Sequence, residues 1–176
     1  MNARAVRHAL LLSALAGRLA AQSGVPDPAL AVLDLRFDGA HATVLEPGDT
    51  AVVGAATAQL RATLARVPGV TLIDSTRVAA RVAAEAPEGN RCDNACALRV
   101  GRALGARWVV MGTLAKTSPL IWVFFVGLID VTTGTPVLAD TYEIKGEAMR
   151  MAPAGAAAFA RRVAKAIGAH PNAAAP

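Results

Sequence analysis

Residues 105–130 read GARWVVMGTLAKTSPLIWVFFVGLID and hold both tryptophans of the chain and two of its four phenylalanines. The longest apolar run, Leu120–Ile129, has ten residues. A spanning helix needs roughly 20, so the run is not a membrane hairpin of helices. A barrel strand would alternate apolar with polar residues, and this one does not. The stretch reads as two strands of a buried sheet, at 107–115 and 120–130. Leu120, Trp122, Phe124, Val126 and Leu128 point one way, and Ile121, Val123, Phe125 and Ile129 the other. A strand that is apolar on both sides is covered on both sides. Helices of the same chain cover one. The row Leu120, Trp122, Phe124, Val126 and Leu128 is taken as the candidate partner-facing side.

The neighbouring segments supply the rest of the sheet and its helices. LAVLDLRFD (30–38) alternates Leu33, Leu35 and Phe37 with Asp34 and Arg36, the period of a half-buried strand. After a loop at 38–49, Asp49 and Thr50 are candidate caps for a helix with Val53, Thr57, Leu60, Leu64 and Val67 at helical spacing. Pro68-Gly69 stops it. Val70–Ile73 is a short strand, and Asp74-Ser75 caps a second helix carrying Val78 and Val82. A third helix runs over about 94–104, with Gly105 in the left-handed position past its end. Thr133-Gly134 turns the chain into a strand at 136–144. Pro153 opens a final helix with Phe159, Val163 and Ile167 on one stripe. The order β-α-β-α-α-β-β-β-α predicts an α/β fold with a mixed sheet and helices packed on it.

The chain has 176 residues, enough for one domain. Hydrophobic residues make up 54% and charged residues 18%, so much surface is hidden in a core or against a partner. The formal charge of +5 is misleading about nucleic acid. Residues 1–21 hold Arg4, Arg7 and Arg18 and no acid, and without them the charge falls to +2. Those residues read as a secretory signal peptide: a basic start, the short apolar run ALLLSALA, then small residues at Ala14–Ala16 and Ala20–Ala21. The expected layout is a signal peptide at 1–21, a linker at 22–29, one domain at 30–168 and a disordered tail at 169–176. The expected location is the periplasm, or outside the cell, after cleavage.

The segment RCDNACALRVGRALGARWVVMGTLAKTSPLIWVFFVGLIDVTTGTPV (91–137) carries a family resemblance. A cysteine pair opens a helix that ends in L-G-A. An apolar strand ends in G-T-L-A-K-T-S, and a second ends in D-V-T-T-G. This resembles small secreted bacterial proteins of unknown function. It is more distantly similar to the amino-terminal domain of TolB and to the curli-secretion lipoprotein and penicillin-binding-protein activator folds. The resemblance covers most of 30–168. It implies an α/β envelope module, mostly non-enzymatic, and supplies no catalytic residues.

Cys92 and Cys96 are the only cysteines. In an exported chain an even count points to a disulfide. Asp93-Asn94 places Cys92 just outside the third helix and Cys96 in its first turn, within reach of the roughly 4.4–6.8 Å Cα separation a disulfide needs. The spacing is neither the redox C-x-x-C nor the haem C-x-x-C-H, and no nearby histidine completes a metal site. His8, His41 and His170 fall in the leader, a loop and the tail, and no G-x-S-x-G stretch appears. Gly101 and Gly105 are spaced for close packing, not for cradling phosphate. Asp34 and Asp130, both in strands, are the carboxylates able to approach each other, although strand-end Asp ordinarily binds backbone. Lys116, at a strand end, reads as a solvated charge. The arginines are spread over three helices and Tyr142 is the only tyrosine, so there is no stacking platform for nucleic acid. The expectation is a non-enzymatic binding module without catalytic, cofactor or metal residues. It is an envelope accessory protein that meets another envelope protein or self-associates. The alternative is a carrier of a small apolar ligand between sheet and helices.

Overall fold

The computed structural model describes residues 27–86 and 92–169. Residues 1–26, 87–91 and 170–176, where the expected signal peptide, part of the linker and most of the tail fall, lie outside the described residues. Ten elements follow one another. They are β1 (Ala29–Val32), β2 (Arg36–Asp38), α1 (Asp49–Leu64), β3 (Thr71–Leu72), α2 (Ser75–Glu85), α3 (Asn94–Leu104), β4 (Trp108–Ser118), β5 (Ile121–Asp130), β6 (Pro136–Lys145) and α4 (Ala148–Ala169). The sheet is mixed. Its order is β3-β1-β4-β5-β6, with β2 also paired to β4. β1 lies parallel to β3 and β4, and β4, β5 and β6 form an antiparallel meander. The expected element order holds, with the first strand divided in two.

That division has a local cause. Val32 pairs with Val110 and Arg36 with Thr113, so the β1–β2 side carries one more residue than its partner. Such a bulge reverses the side-chain phase. Leu30 and Val32 enter the core under α1 and α4, while Ala31 and Leu33 enter the core under α2 and α3. Beyond the bulge, Leu35 and Phe37 fall on the α1 and α4 side. The single half-buried row of Leu33, Leu35 and Phe37 is therefore corrected: Leu33 and Leu35 serve opposite cores. Helix α1 satisfies the backbone at the break. The Leu35 N–H donates to Thr57 Oγ1 (3.1 Å), and Arg61 donates to the Val32 carbonyl (3.1 Å).

The larger core sets α1 and α4 against one side of the sheet, with Trp122, Phe124, Leu128, Leu114, Leu60 and Phe159 among its fully buried members. The smaller core sets α2 and α3 against β1 and the first half of β4. Asp74 caps α2 by accepting from the N–H groups of Thr76 and Arg77, and Asp93 caps α3 by accepting from Cys96. Gly101 lets α3 approach the sheet closely: a Cβ there would meet Val109 and Val131 at 2.7 Å. Two helix starts differ from expectation. Gly48, not Asp49 or Thr50, is the N-cap of α1, and no side chain caps it. Helix α4 begins five residues before Pro153, which lies inside it. Among the described residues no helix is long and apolar enough to cross a membrane.

Candidate functional site

The β4–β5 hairpin end of the sheet gathers most of the chain's unusual side chains. Lys116 shares the parity of Trp108, Val110 and Leu114 along β4, so it points into the larger core and is 0% exposed. This corrects the reading of Lys116 as a solvated charge. A buried ammonium requires partners, and three groups provide them. Nζ donates to both carboxylate oxygens of Asp49 (2.9 and 3.0 Å) and to Glu46 Oε2 (2.9 Å). It also lies 5.6 Å from the centroid of the Trp122 ring. Burial by itself pushes the Asp49 carboxyl up, but donation from the Glu46 N–H and from Lys116 outweighs it and holds the group below its ordinary value. Burial likewise pulls the Lys116 ammonium down, and the bonds to Asp49 and Glu46 outweigh it and raise the group. The pair therefore stays ionised and anchors the start of α1 and the loop before it to the sheet.

That loop carries apolar side chains into solvent. Val44 and Leu45 are exposed, as are Leu120 at the hairpin tip and Met149 in the first turn of α4. The Thr43 N–H donates to Thr117 O, and the Gly146 N–H donates to Leu120 O. The three segments are therefore neighbours at one end of the sheet. The rim continues onto the sheet. On the side that carries α2 and α3, those helices cover Val109, Ile129 and Val131. Further along, Thr113, Ala115, Ile121 and Val123 are half-buried, Phe125 is 45% exposed, and no helix of the described residues covers them.

The candidate partner-facing row needs correction on this point. Trp122, Phe124, Val126 and Leu128 lie at 0–5% exposure beneath α1 and α4. Only Leu120, in the turn before β5, is exposed. The bare side is the opposite one, Ile121, Val123 and Phe125. The reason is the length of α4. It runs along β5 and β6 and covers one side completely, whereas α2 and α3 reach only the other half of the sheet.

Cys92 and Cys96 are joined by a disulfide, with Cα atoms 5.1 Å apart, at the start of α3 and inside the smaller core. The loop it closes is short, so Cys92→Ala/Cys96→Ala is expected to lower the unfolding free energy by about 2 kcal/mol in urea titrations. A loss several times larger would mean that the bridge does more than pin the start of α3. Asp34 and Asp130 do not form an acid pair. Asp34 binds Arg61 (2.8 Å), while Asp130 binds Arg107 (2.8 Å) and accepts from the N–H groups of Thr132 and Thr133. An open groove of about 490 Å³ lies along the strand break, lined by Leu35, Phe37, Val53, Gly54, Thr57 and the Asp34–Arg61 ion pair. Its polar wall and open mouth differ from an enclosed apolar pocket. His41 is exposed in its loop. Among the described residues no three His, Cys, Asp or Glu side chains are grouped to hold a metal ion.

A family model described as a protein of unknown function (DUF2380), under the name DUF3280, matches residues 28–163. No curated protein matches the sequence. Among solved structures, the LpoB C-terminal domain from Salmonella enterica aligns at 17% identity and a TM-score of 0.51, over 70% of this chain and 87% of that one. The LpoB C-terminal domain from Escherichia coli aligns at 18% identity and a TM-score of 0.50, with the same coverage. TolB from Acinetobacter baumannii is matched at 17% identity and a TM-score of 0.43, over 80% of this chain and 27% of that one. The two LpoB domains share the fold of this chain.

Proposed function

We propose, for a chain that belongs to the DUF3280 family, that it is a non-enzymatic binding module exported to the bacterial envelope, where it acts on another envelope protein through the bare half of its sheet. The observation that carries this reading is the exposure of Phe125 in a row with half-buried Val123 and Ile121. A β-sheet side of that composition is ordinarily covered. The exposed Val44, Leu45 and Leu120 extend the apolar surface around the hairpin end. The signal-peptide pattern read at 1–21 supports export, and the chain shares its fold with the LpoB domains. The groove at the strand break is where a carrier of a small ligand would hold it, but its ion pair suits an apolar guest less well than the bare side suits a protein.

The test places a photo-crosslinking amino acid at Phe125 and, as a control, at exposed Arg161. Irradiation of cells is expected to join the Phe125 variant to one discrete envelope protein and the control to none. Phe125→Asp is expected to abolish that complex at a cost of about 1–2 kcal/mol, because Asp suits a central strand poorly and the half-buried ring is lost, while Phe125→Thr is expected to weaken the complex with a smaller loss of stability. Equal labelling at both positions would defeat the proposal.

A further inference from the structure

The bare half of the sheet has an order of its own. Leu35, Phe37, Tyr142 and Ile144 face α1 and α4. Arg36 and Asp38 on β2, and Thr141, Glu143 and Lys145 on β6, therefore face the bare side. Strand pairing sets these residues in rows. Arg36, Thr113, Phe125 and Thr141 form one row, and Asp38, Ala115, Val123 and Glu143 the next. Ile121 and Lys145 stand in a third. The two inner strands, β4 and β5, thus carry uncharged side chains, and the charges of these rows stand on the two outer strands.

The dimensions select the occupant. Two strands about 4.8 Å apart make a strip about 10 Å wide, the diameter of one helix with its side chains. From Ile121 to Phe125 the strip is about 14 Å long, or about two and a half helical turns. Thr113 and Ala115 are small beside Phe125, Val123 and Ile121, so β4 is the floor of a trough and β5 is one wall. Arg36, held to Thr113 Oγ1 at 2.9 Å, bounds the other. A guest strand pairs at an edge, not on a face, and a packed sheet needs an inner face wider than this strip. On the same side α2 and α3 stop over Val109, Ile129 and Val131, so a guest helix continues a layer that the chain itself begins.

Charge sets the margins. Asp38 and Glu143 stand on opposite margins of one row, on either side of Ala115 and Val123. The cations are one row away, Arg36 on the β2 margin and Lys145 on the β6 margin. Each step is two residues, about 6.8 Å along a strand, close to the roughly 6 Å between residues four apart on a helix. The Glu143–Lys145 contact at 3.3 Å is exposed and is weak enough to be exchanged for a new partner.

We propose that the bare side receives one amphipathic helix of the partner, laid along β4 and β5. Its apolar stripe fills the trough, and a lysine or arginine on each margin meets Asp38 and Glu143. The proposal rests on the binding reading above and specifies what the partner presents.

The experiment places a photo-crosslinking amino acid singly at Ile121, Val123 and Phe125 of the full chain in cells, and maps the joined residues by mass spectrometry. The three positions are expected to mark one continuous segment of the partner at intervals of three or four residues. Intervals of two, or sites scattered over several segments, overturn the helix and leave the binding reading standing. Joining to a second copy of the chain or to lipid overturns both, as does the absence of product at all three positions. The margins are tested by Asp38→Asn/Glu143→Gln, which removes both carboxylates and keeps an acceptor for the Ala40 N–H at residue 38. Melting is expected to be unchanged, while the product at Phe125 falls about fivefold, as for two exposed ion pairs. An unchanged yield overturns the basic margins.

Discussion

Gly112→Ala is expected to lower the unfolding free energy by about 3 kcal/mol, at the upper end for overpacking a core. A Cβ at Gly112 would meet the Phe125 carbonyl oxygen and Val126 Cγ1 at 2.6 Å and Leu35 Cδ2 at 2.9 Å. The leucine can turn away, but the carbonyl belongs to the β4–β5 ladder and cannot move without parting the strands. The site is where the reversed side-chain phase of β2 brings Leu35 over the middle of β4. Gly127→Ala is the internal control. It stands on the neighbouring strand, and its Cβ would come no nearer than 3.4 Å to Leu138 O. Chemical denaturation of the two variants tests the argument, and equal losses would refute it.

The second large effect concerns the buried ion pair. Asp49→Ala leaves the buried ammonium with the half-exposed Glu46 as its one carboxylate partner, and it is expected to lower the melting temperature by roughly 10 °C. Lys116→Met keeps the volume of the side chain and removes the charge. The double variant Asp49→Ala/Lys116→Met is expected to melt above Asp49→Ala alone, because no buried ammonium remains. Additive losses in this cycle would mean that the two groups are not coupled. The pH dependence has two edges. The Asp49 carboxyl is held below its ordinary 3.8, so its contribution is present above that value and is lost as pH falls through the lowered one. The Lys116 ammonium is raised above 10.5, so its contribution is present below that value and is lost as pH rises through the raised one. Between these limits the anchor of α1 is expected to be insensitive to pH, and Asp49→Ala should reduce the acid edge of the melting profile, leaving the part due to the Asp74 cap, which the Thr76 hydroxyl also holds low.

Local signals carried much of the fold. The helical spacing of Val53, Leu60 and Leu64, the caps Asp74 and Asp93, and Gly105 beyond α3 each act within a few residues, and each stands where the sequence places it. Long-range choices did not show. Period-two patterning states that both sides of Leu120–Ile129 are apolar, but which side receives helices depends on where α4 crosses. Sequence puts the start of α4 at Pro153, five residues late, and so hides how far along β5 and β6 it reaches. The candidate site followed the same division. The disulfide spans four positions and was readable. Lys116 lies 67 residues from Asp49 and 70 from Glu46, and only its shared parity with Leu114 hinted that it points inward. The phase reversal after Val32 was invisible because Leu33 and Leu35 are equally apolar wherever they point.

That reversal also marks where the gene can change length. Asp34 is exposed and its side chain pairs with Arg61, so substitutions there are expected to be mild. Loss of the residue itself is a different event. An in-frame deletion of codon 34 would remove the extra residue and set Val32 and Arg36 three positions apart, as Val110 and Thr113 are. Leu35 and Phe37 would then follow Val32 in unbroken alternation and still face α1 and α4, so the length of the gene at this codon is expected to be negotiable where the order of its neighbours is not.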